Sequence, residues 1–140
     1  MRILDVAQLS KSVEVFCHVS TAYTNSNRTG FIEEKIYDLE GGKDPEKLVE
    51  EILKLNPQQV IEKEKEIIGL YPNTYTFTKA LTERTLKKRR GTIKICIVRP
   101  SIVISSVKEP AVGWTETLSA MGGLVFATML GLINYLHCNN

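Results

Sequence analysis

The sequence predicts an α/β domain built on a parallel sheet. Two short runs rich in β-branched and apolar residues, Val13 to Val19 (VEVFCHV) and Ile93 to Val98 (IKICIV), read as strands. The stretches before and between them space their apolar residues as helices do. The resulting order of helix, strand, helices, helix, strand is that of a sheet with helical crossovers.

Taken in order, Ile3, Val6, Ala7 and Leu9 fit a short amphipathic helix. The first strand then runs out abruptly into Ser20-Thr21-Ala22-Tyr23 and a polar loop, Thr24 to Asn27. Gly41-Gly42 marks a turn. Asp44-Pro45 supplies an N-cap followed by proline at the first helical position, and Leu48, Ile52 and Leu55 continue at helical spacing. Pro57 stops or restarts that helix. The next stretch sets Val60, Ile61, Ile67 and Ile68 against a charged face, Glu62 to Glu66, which reads as solvated, and Gly69 suits a helix end. After the turn Tyr71-Pro72-Asn73-Thr74, a helix capped by Asn73 or Thr74 is predicted from about Tyr75 to Lys88. Arg89-Arg90-Gly91 ends it, and the second strand follows, apolar enough for a central parallel strand. Arg99-Pro100-Ser101 and the apolar Ile102-Val103-Ile104 come next. From Leu118 to Leu136 no residue is charged, but Gly122, Gly123 and Gly131 interrupt the run. It reads as a buried loop and helix near a substrate pocket rather than a membrane span.

Bulk properties narrow the function classes. The chain has 140 residues, 43% of them apolar and 24% charged, the balance of a globular domain with a real core. A net charge of +2, with no basic stripe carrying aromatics, points away from nucleic acid. Cys17, Cys96 and Cys138 are far apart in sequence and form no CxxC pair, so neither a disulfide framework nor a zinc site is expected, and an intracellular setting is the simplest reading. No metal site is expected at His137 and Cys138, which lack a third ligand. His18 reads as a satisfied core histidine and Trp114 as a packing anchor. Arg99 is equally suited to a phosphate or to a carboxylate.

The chemistry centres on Tyr75 and Lys79, four residues apart on a predicted helix and so on one face. A free phenol titrates near pH 10, and a neighbouring ammonium favours the phenolate. Such a pair exchanges a proton with a substrate oxygen near neutral pH, and the lysine can also hold the ribose hydroxyls of a nicotinamide nucleotide. YxxxK alone is a weak signal. Two features strengthen it: the motif opens a helix followed directly by an apolar strand, and the earlier strand ends in the hydroxyls of Ser20 and Thr21. The carboxyl end of a parallel strand is where open α/β sheets bind ligands. The plainer reading of the two hydroxyls is a strand end capping its own backbone.

Longer matches accompany these residues. They are His18 to Tyr23 (HVSTAY), Ile32 to Lys35 (IEEK), Tyr71 to Leu81 (YPNTYTFTKAL) and Ile97 to Val103 (IVRPSIV), followed by Glu109-Pro110 and Gly113-Trp114. In this order they cover most of the chain from about Val13 to Trp114. With them the sequence resembles the alcohol-forming fatty acyl-CoA reductases of the extended short-chain dehydrogenase/reductase superfamily. The tail to Asn140 is similar to that family's continuation.

The resemblance implies part of a doubly wound, Rossmann-like domain in which a long-chain fatty acyl-CoA is reduced by NADPH, through an aldehyde, to a fatty alcohol in lipid and wax metabolism. It implies Tyr75 as proton donor, Lys79 on the nicotinamide ribose, and Thr21, or secondarily Ser20, polarising the carbonyl. Pro100, Ser101, Ile102 and Val103 would line the nicotinamide pocket beside Tyr75 and Lys79. It also implies a peroxisomal or endoplasmic-reticulum location, with membrane association through regions absent here. The chain departs from the family in having no GxxGxxG loop, so residues 1–140 are expected to be an incomplete NAD(P)-binding reductase domain, lacking the N-terminal Gly-rich loop and the C-terminal region, and inactive in isolation. The rival readings are another extended short-chain dehydrogenase, acting on a sterol, a sugar nucleotide or a carrier-bound thioester, and a non-catalytic truncated fragment.

Overall fold

In the computed structural model, which describes residues 2–117 and 121–135, strands β1 (Val15–Val19) and β2 (Lys94–Val98) pair in parallel. Val15 stands opposite Lys94, Cys17 opposite Cys96 and Val19 opposite Val98. Side chains alternate across a strand, so Phe16 and His18 share the half-buried face with Ile95 and Ile97, while Val15, Cys17, Val19, Lys94, Cys96 and Val98 are exposed. The strand expected to be central is one of two in the sheet formed by the described residues. Its apolar character therefore leaves one face uncovered here. The α/β class and the parallel sheet are those of a partial Rossmann-like domain.

The chain divides into two units, Met1–Pro100 and Ser101–Asn140. The first begins with α1 (Arg2–Leu9). Its buried side chains are Leu4 and Ala7, three apart, whereas Ile3, Val6 and Leu9, read from the sequence as its apolar face, are exposed. The helix is tied to the end of α5 (Thr74–Arg89) by Gln8 Nε2 donating to Arg89 O at 2.7 Å and by the Asp5–Arg89 ion pair.

The crossover from β1 to β2 carries four helices. Asp44 caps α2 (Pro45–Leu53), its Oδ1 accepting from the Glu46 and Lys47 amides at 2.9 and 3.3 Å. Pro57 restarts the chain as α3 (Pro57–Glu62), where Asn56 and Gln59 form a capping box. Then α4 (Glu64–Ile68) closes on Gly69, whose φ of +58° favours a residue without Cβ. Ile67 and Ile68 pack against the core, but Ile61 faces solvent. Asn73 caps α5, accepting from the Thr76 amide at 2.9 Å. Lys87, Lys88 and Arg89 in the last turn complement the helix dipole. Lys88 also pairs with Asp44 at 2.5 Å and Glu46 at 2.8 Å, joining α5 to the start of α2.

The core lies on one side of α5. Phe77, Ala80 and Leu81 meet Leu39 and Tyr71 there, with Leu48, Val49, Ile52, Ile67 and Ile68 packed around them. Phe77 and Tyr71 meet edge to face at 5.6 Å between ring centroids. Polar side chains of α5 are also buried, and several bond to their own helix: Arg84 Nη1 donates to Ala80 O at 2.7 Å and Thr85 Oγ1 to Leu81 O at 2.8 Å.

In the second unit, residues 101–117 have no regular structure, and α6 (Met121–Met129) follows. It ends in a Schellman closure: Gly131, at φ +71°, donates to Thr128 O at 3.0 Å, and Leu132 donates to Ala127 O at 2.9 Å. Trp114, expected as a packing anchor, is half exposed; its backbone rather than its ring holds the loop, with Ser106 N donating to Trp114 O at 2.8 Å. Val125, Phe126 and Met129 are exposed, so that face of α6 is not the buried segment the sequence suggested. Leu118, Ser119, Leu136, His137 and Cys138 lie outside the described residues. No helix among the described residues is long and apolar enough to cross a membrane.

Candidate active site

Pairing of the strands continues past their regular ends. Ser20 N donates to Val98 O at 2.7 Å, and Ala22 N to Pro100 O at 2.9 Å. The two carboxyl ends therefore leave the sheet together, and the first turns of α5 lie beside them. Lys79 Nζ donates to Val19 O at 3.1 Å, fastening α5 to the last residue of β1. Tyr75 sits one turn earlier, with the Lys79 nitrogen 5.9 Å from the centre of its ring. Its side chain is half exposed and open to a ligand. An ammonium has three N–H donors; with one on Val19, Lys79 keeps two for other partners.

The two strand-end hydroxyls differ. Thr21 Oγ1 accepts from the Tyr23 amide at 3.3 Å and caps the 3₁₀ turn Ala22–Asn25, as the plainer sequence reading held. Accepting a bond in this way orients the hydroxyl and leaves its own proton to donate. Ser20 Oγ is turned inward, 3.2 Å from Thr24 Oγ1 in a buried contact. Both residues are buried, as is Thr24.

The partner of Arg99 is a carboxylate. Its Nε and Nη2 donate to Oε1 and Oε2 of Glu83 at 2.9 and 2.6 Å, a two-point fork, and Nη2 also donates to Lys35 O at 3.1 Å. Glu83 is fully buried. Burial pushes its carboxyl up, but Arg99 and the Ser20 and Thr24 hydroxyls more than offset this and hold it below the usual range. Neither Glu83 nor Thr24 was singled out from the sequence. The available signal was spacing, because Glu83 follows Lys79 by the same four residues that separate Lys79 from Tyr75.

His18 is half-buried, but its Nε2 has no hydrogen-bond partner, so it is not the satisfied core histidine expected. Burial, and then the Lys79 charge, push its pKa down. Pro100 stands at the end of the ladder, and its carbonyl is taken by Ala22. Ser101, Ile102 and Val103 open the second unit. Cys17 and Cys96 are free, though they are register partners. A cleft of about 430 Å³ between residues 36–45 and α5 is lined by Arg84, Lys87 and Lys88 and includes none of Thr21, Tyr75 and Lys79. Among the described residues no group of three His, Cys, Asp or Glu side chains is placed to hold a metal. A nicotinamide nucleotide fits the strand-end donor set, with an exposed phenol, an oriented hydroxyl and an ammonium with N–H groups to spare.

No solved structure matches the chain. Among curated proteins, fatty acyl-CoA reductase 1 of Xenopus laevis is 41% identical over 139 residues, covering 99% of this chain and 26% of that protein. Human fatty acyl-CoA reductase 1 is 37% identical over the same shares of the two chains. Mouse fatty acyl-CoA reductase 2 is 36% identical over 132 residues, 94% of this chain and 25% of that protein. The chain thus spans about a quarter of the length of the curated relatives it matches. The NAD-binding family described as "Male sterility protein" matches residues 1–140, from end to end, and the chain belongs to that family.

Proposed function

We propose that the protein to which these residues belong reduces long-chain fatty acyl-CoA to fatty alcohol with NADPH, and that Tyr75 is its proton donor. The observation that carries the reading is the Lys79–Val19 bond. It supports the reading by tying Lys79, one turn from Tyr75, to the last residue of β1, in a chain 41% identical to a fatty acyl-CoA reductase.

Bound NADPH supplies the hydride for each of two reductions. The residues of this chain handle the oxygen and its proton. As the thioester carbonyl gains negative charge, the Tyr75 hydroxyl gives that oxygen its proton and the Thr21 hydroxyl donates a hydrogen bond to it. Donors fixed on the sheet and on α5 need no reorganisation as this charge develops. The Lys79 ammonium supports the negative charge left on the Tyr75 oxygen and keeps N–H groups for the ribose diol. Coenzyme A leaves the tetrahedral adduct as its thiol, taking up the proton of the adduct's hydroxyl, and Tyr75 regains a proton from solvent before the second reduction. The resulting aldehyde is reduced at the same donors to the alcohol. Ser20, with its hydroxyl turned toward Thr24, takes the lesser part. By the family resemblance alone, Pro100, Ser101, Ile102 and Val103 are assigned to nicotinamide binding.

The test uses the full-length protein with NADPH and palmitoyl-CoA. Alcohol is expected from the parent and none from Tyr75→Phe; normal turnover in that variant refutes the assignment. Residues 1–140 alone are expected to produce no alcohol. By the same family resemblance we assign the full-length protein to the peroxisomal or endoplasmic-reticulum membrane. Co-localisation of the tagged protein with markers of the two organelles checks this.

A further inference from the structure

The face of α5 that carries Tyr75 and Lys79 continues one turn further, to Glu83. This carboxylate is fully buried and meets three residues from other parts of the chain. Arg99, just past β2, binds it through both edges of its fork at 2.9 and 2.6 Å. The hydroxyls of Ser20, at the end of β1, and Thr24, in the turn that follows, face it and favour its charged form. Those two hydroxyls contact each other at 3.2 Å. Arg99 reaches on to Lys35 O at 3.1 Å. Three of these residues adjoin the site already described: Ser20 precedes Thr21, Arg99 precedes Pro100, and Glu83 lies one turn from Lys79.

A simple structural brace does not require a charged pair. Apolar residues of similar volume often replace a buried ion pair without loss of stability, whereas a fork between two planar groups also sets direction and distance. The three segments joined by Glu83 are those whose relative placement sets the Thr21 hydroxyl, the Tyr75 phenol and the Lys79 ammonium around one substrate oxygen.

We propose that Glu83 and Arg99 are positioning residues of the reduction site: their buried ion pair, with Ser20 and Thr24, holds the Thr21 end of β1 in register with the Tyr75–Lys79 face of α5. Neither touches the reacting atoms. The proposal rests on the reading of Tyr75 as proton donor.

Its test is steady-state kinetics on the full-length protein for Glu83→Gln, Arg99→Lys, Thr24→Val and Tyr75→Phe, each checked for folding by its melting transition. Glu83→Gln keeps the shape and removes the charge. Arg99→Lys keeps the charge and removes the fork. Both are expected to lower kcat by roughly 10- to 100-fold, the scale of a misplacement of about 1 Å. KM for palmitoyl-CoA and for NADPH should stay within about threefold, because substrate binding is not what these residues govern. Thr24→Val, the mildest change, should lower kcat several-fold with both KM values unchanged. Full kcat in folded Glu83→Gln, with Tyr75→Phe inactive, overturns the positioning role and leaves the proton donor standing. Should Glu83→Gln not fold, full kcat in Thr24→Val overturns it instead. An active Tyr75→Phe removes the donor assignment and the positioning role together.

Discussion

Arg99→Ala tests the energetics of the buried pair apart from catalysis. The substitution leaves the buried Glu83 carboxylate without the two-point fork of its ion-pair partner, with the Ser20 and Thr24 hydroxyls still facing it. Removing one partner of a buried ion pair costs about 3–5 kcal/mol, mostly through the charge left behind. At about 1.4 kcal/mol per tenfold, the strand ends and α5 should separate roughly 140- to 3,700-fold more often. The amides of Ser20 and Ala22 report that opening, since they donate across the ladder to Val98 and Pro100. Hydrogen exchange in the full-length protein should show their protection reduced by that factor. The pH dependence should also reverse. In the parent the folded Glu83 pKa lies below the ordinary value of 4.5, so its stabilisation is present above that pH and lost as pH falls through the folded value. In Arg99→Ala burial, already the largest single cause, loses the arginine's offset and the folded pKa rises above the unfolded one. The variant is then relatively relieved as pH falls and Glu83 protonates. Adding Glu83→Gln to Arg99→Ala should restore most of the lost protection. Protection in Arg99→Ala within about fivefold of the parent would refute the reasoning, since a separation cost below ~1 kcal/mol is that of an exposed pair.

Two further predictions test the frame around the site. Asn73→Ala removes the side chain that accepts from Thr76 N at 2.9 Å and should cost about 1 kcal/mol at the start of α5, read by urea unfolding, while Asn73→Asp keeps most of it. Cys17 and Cys96 face each other across strands about 4.8 Å apart, within the range a disulfide spans. Mild oxidation should therefore yield a linked Cys17–Cys96 peptide by mass spectrometry, and its absence after full oxidation of both thiols would argue against this register.

Local structure was legible in the sequence wherever it rests on neighbouring residues. Asp44-Pro45, Asn73 and Gly69 act through bonds and backbone angles that their near neighbours complete, so the starts of α2 and α5 and the end of α4 fall within a residue or two of expectation. Burial was less legible. Ile3, Val6, Leu9 and Ile61 are apolar and helical yet exposed, because periodicity identifies a face and not what covers it. Trp114 is a large apolar residue that packs little for the same reason.

The sequence by itself determined the α/β class, the parallel strands, the family and the placing of Tyr75 and Lys79 on one helical face, since four residues of helix make little more than one turn. Only the tertiary structure decided what that face meets. Lys79 reaches Val19 across 60 positions, Arg99 chooses Glu83 across 16, and Cys17 finds Cys96 across the sheet. Such pairings depend on the route of the chain through α2 to α5, which no local spacing encodes. The Tyr75–Lys79 pair was readable because its geometry is helical. The carboxylate beneath it was not, because a buried charge is recognised only once its partners have been brought to it.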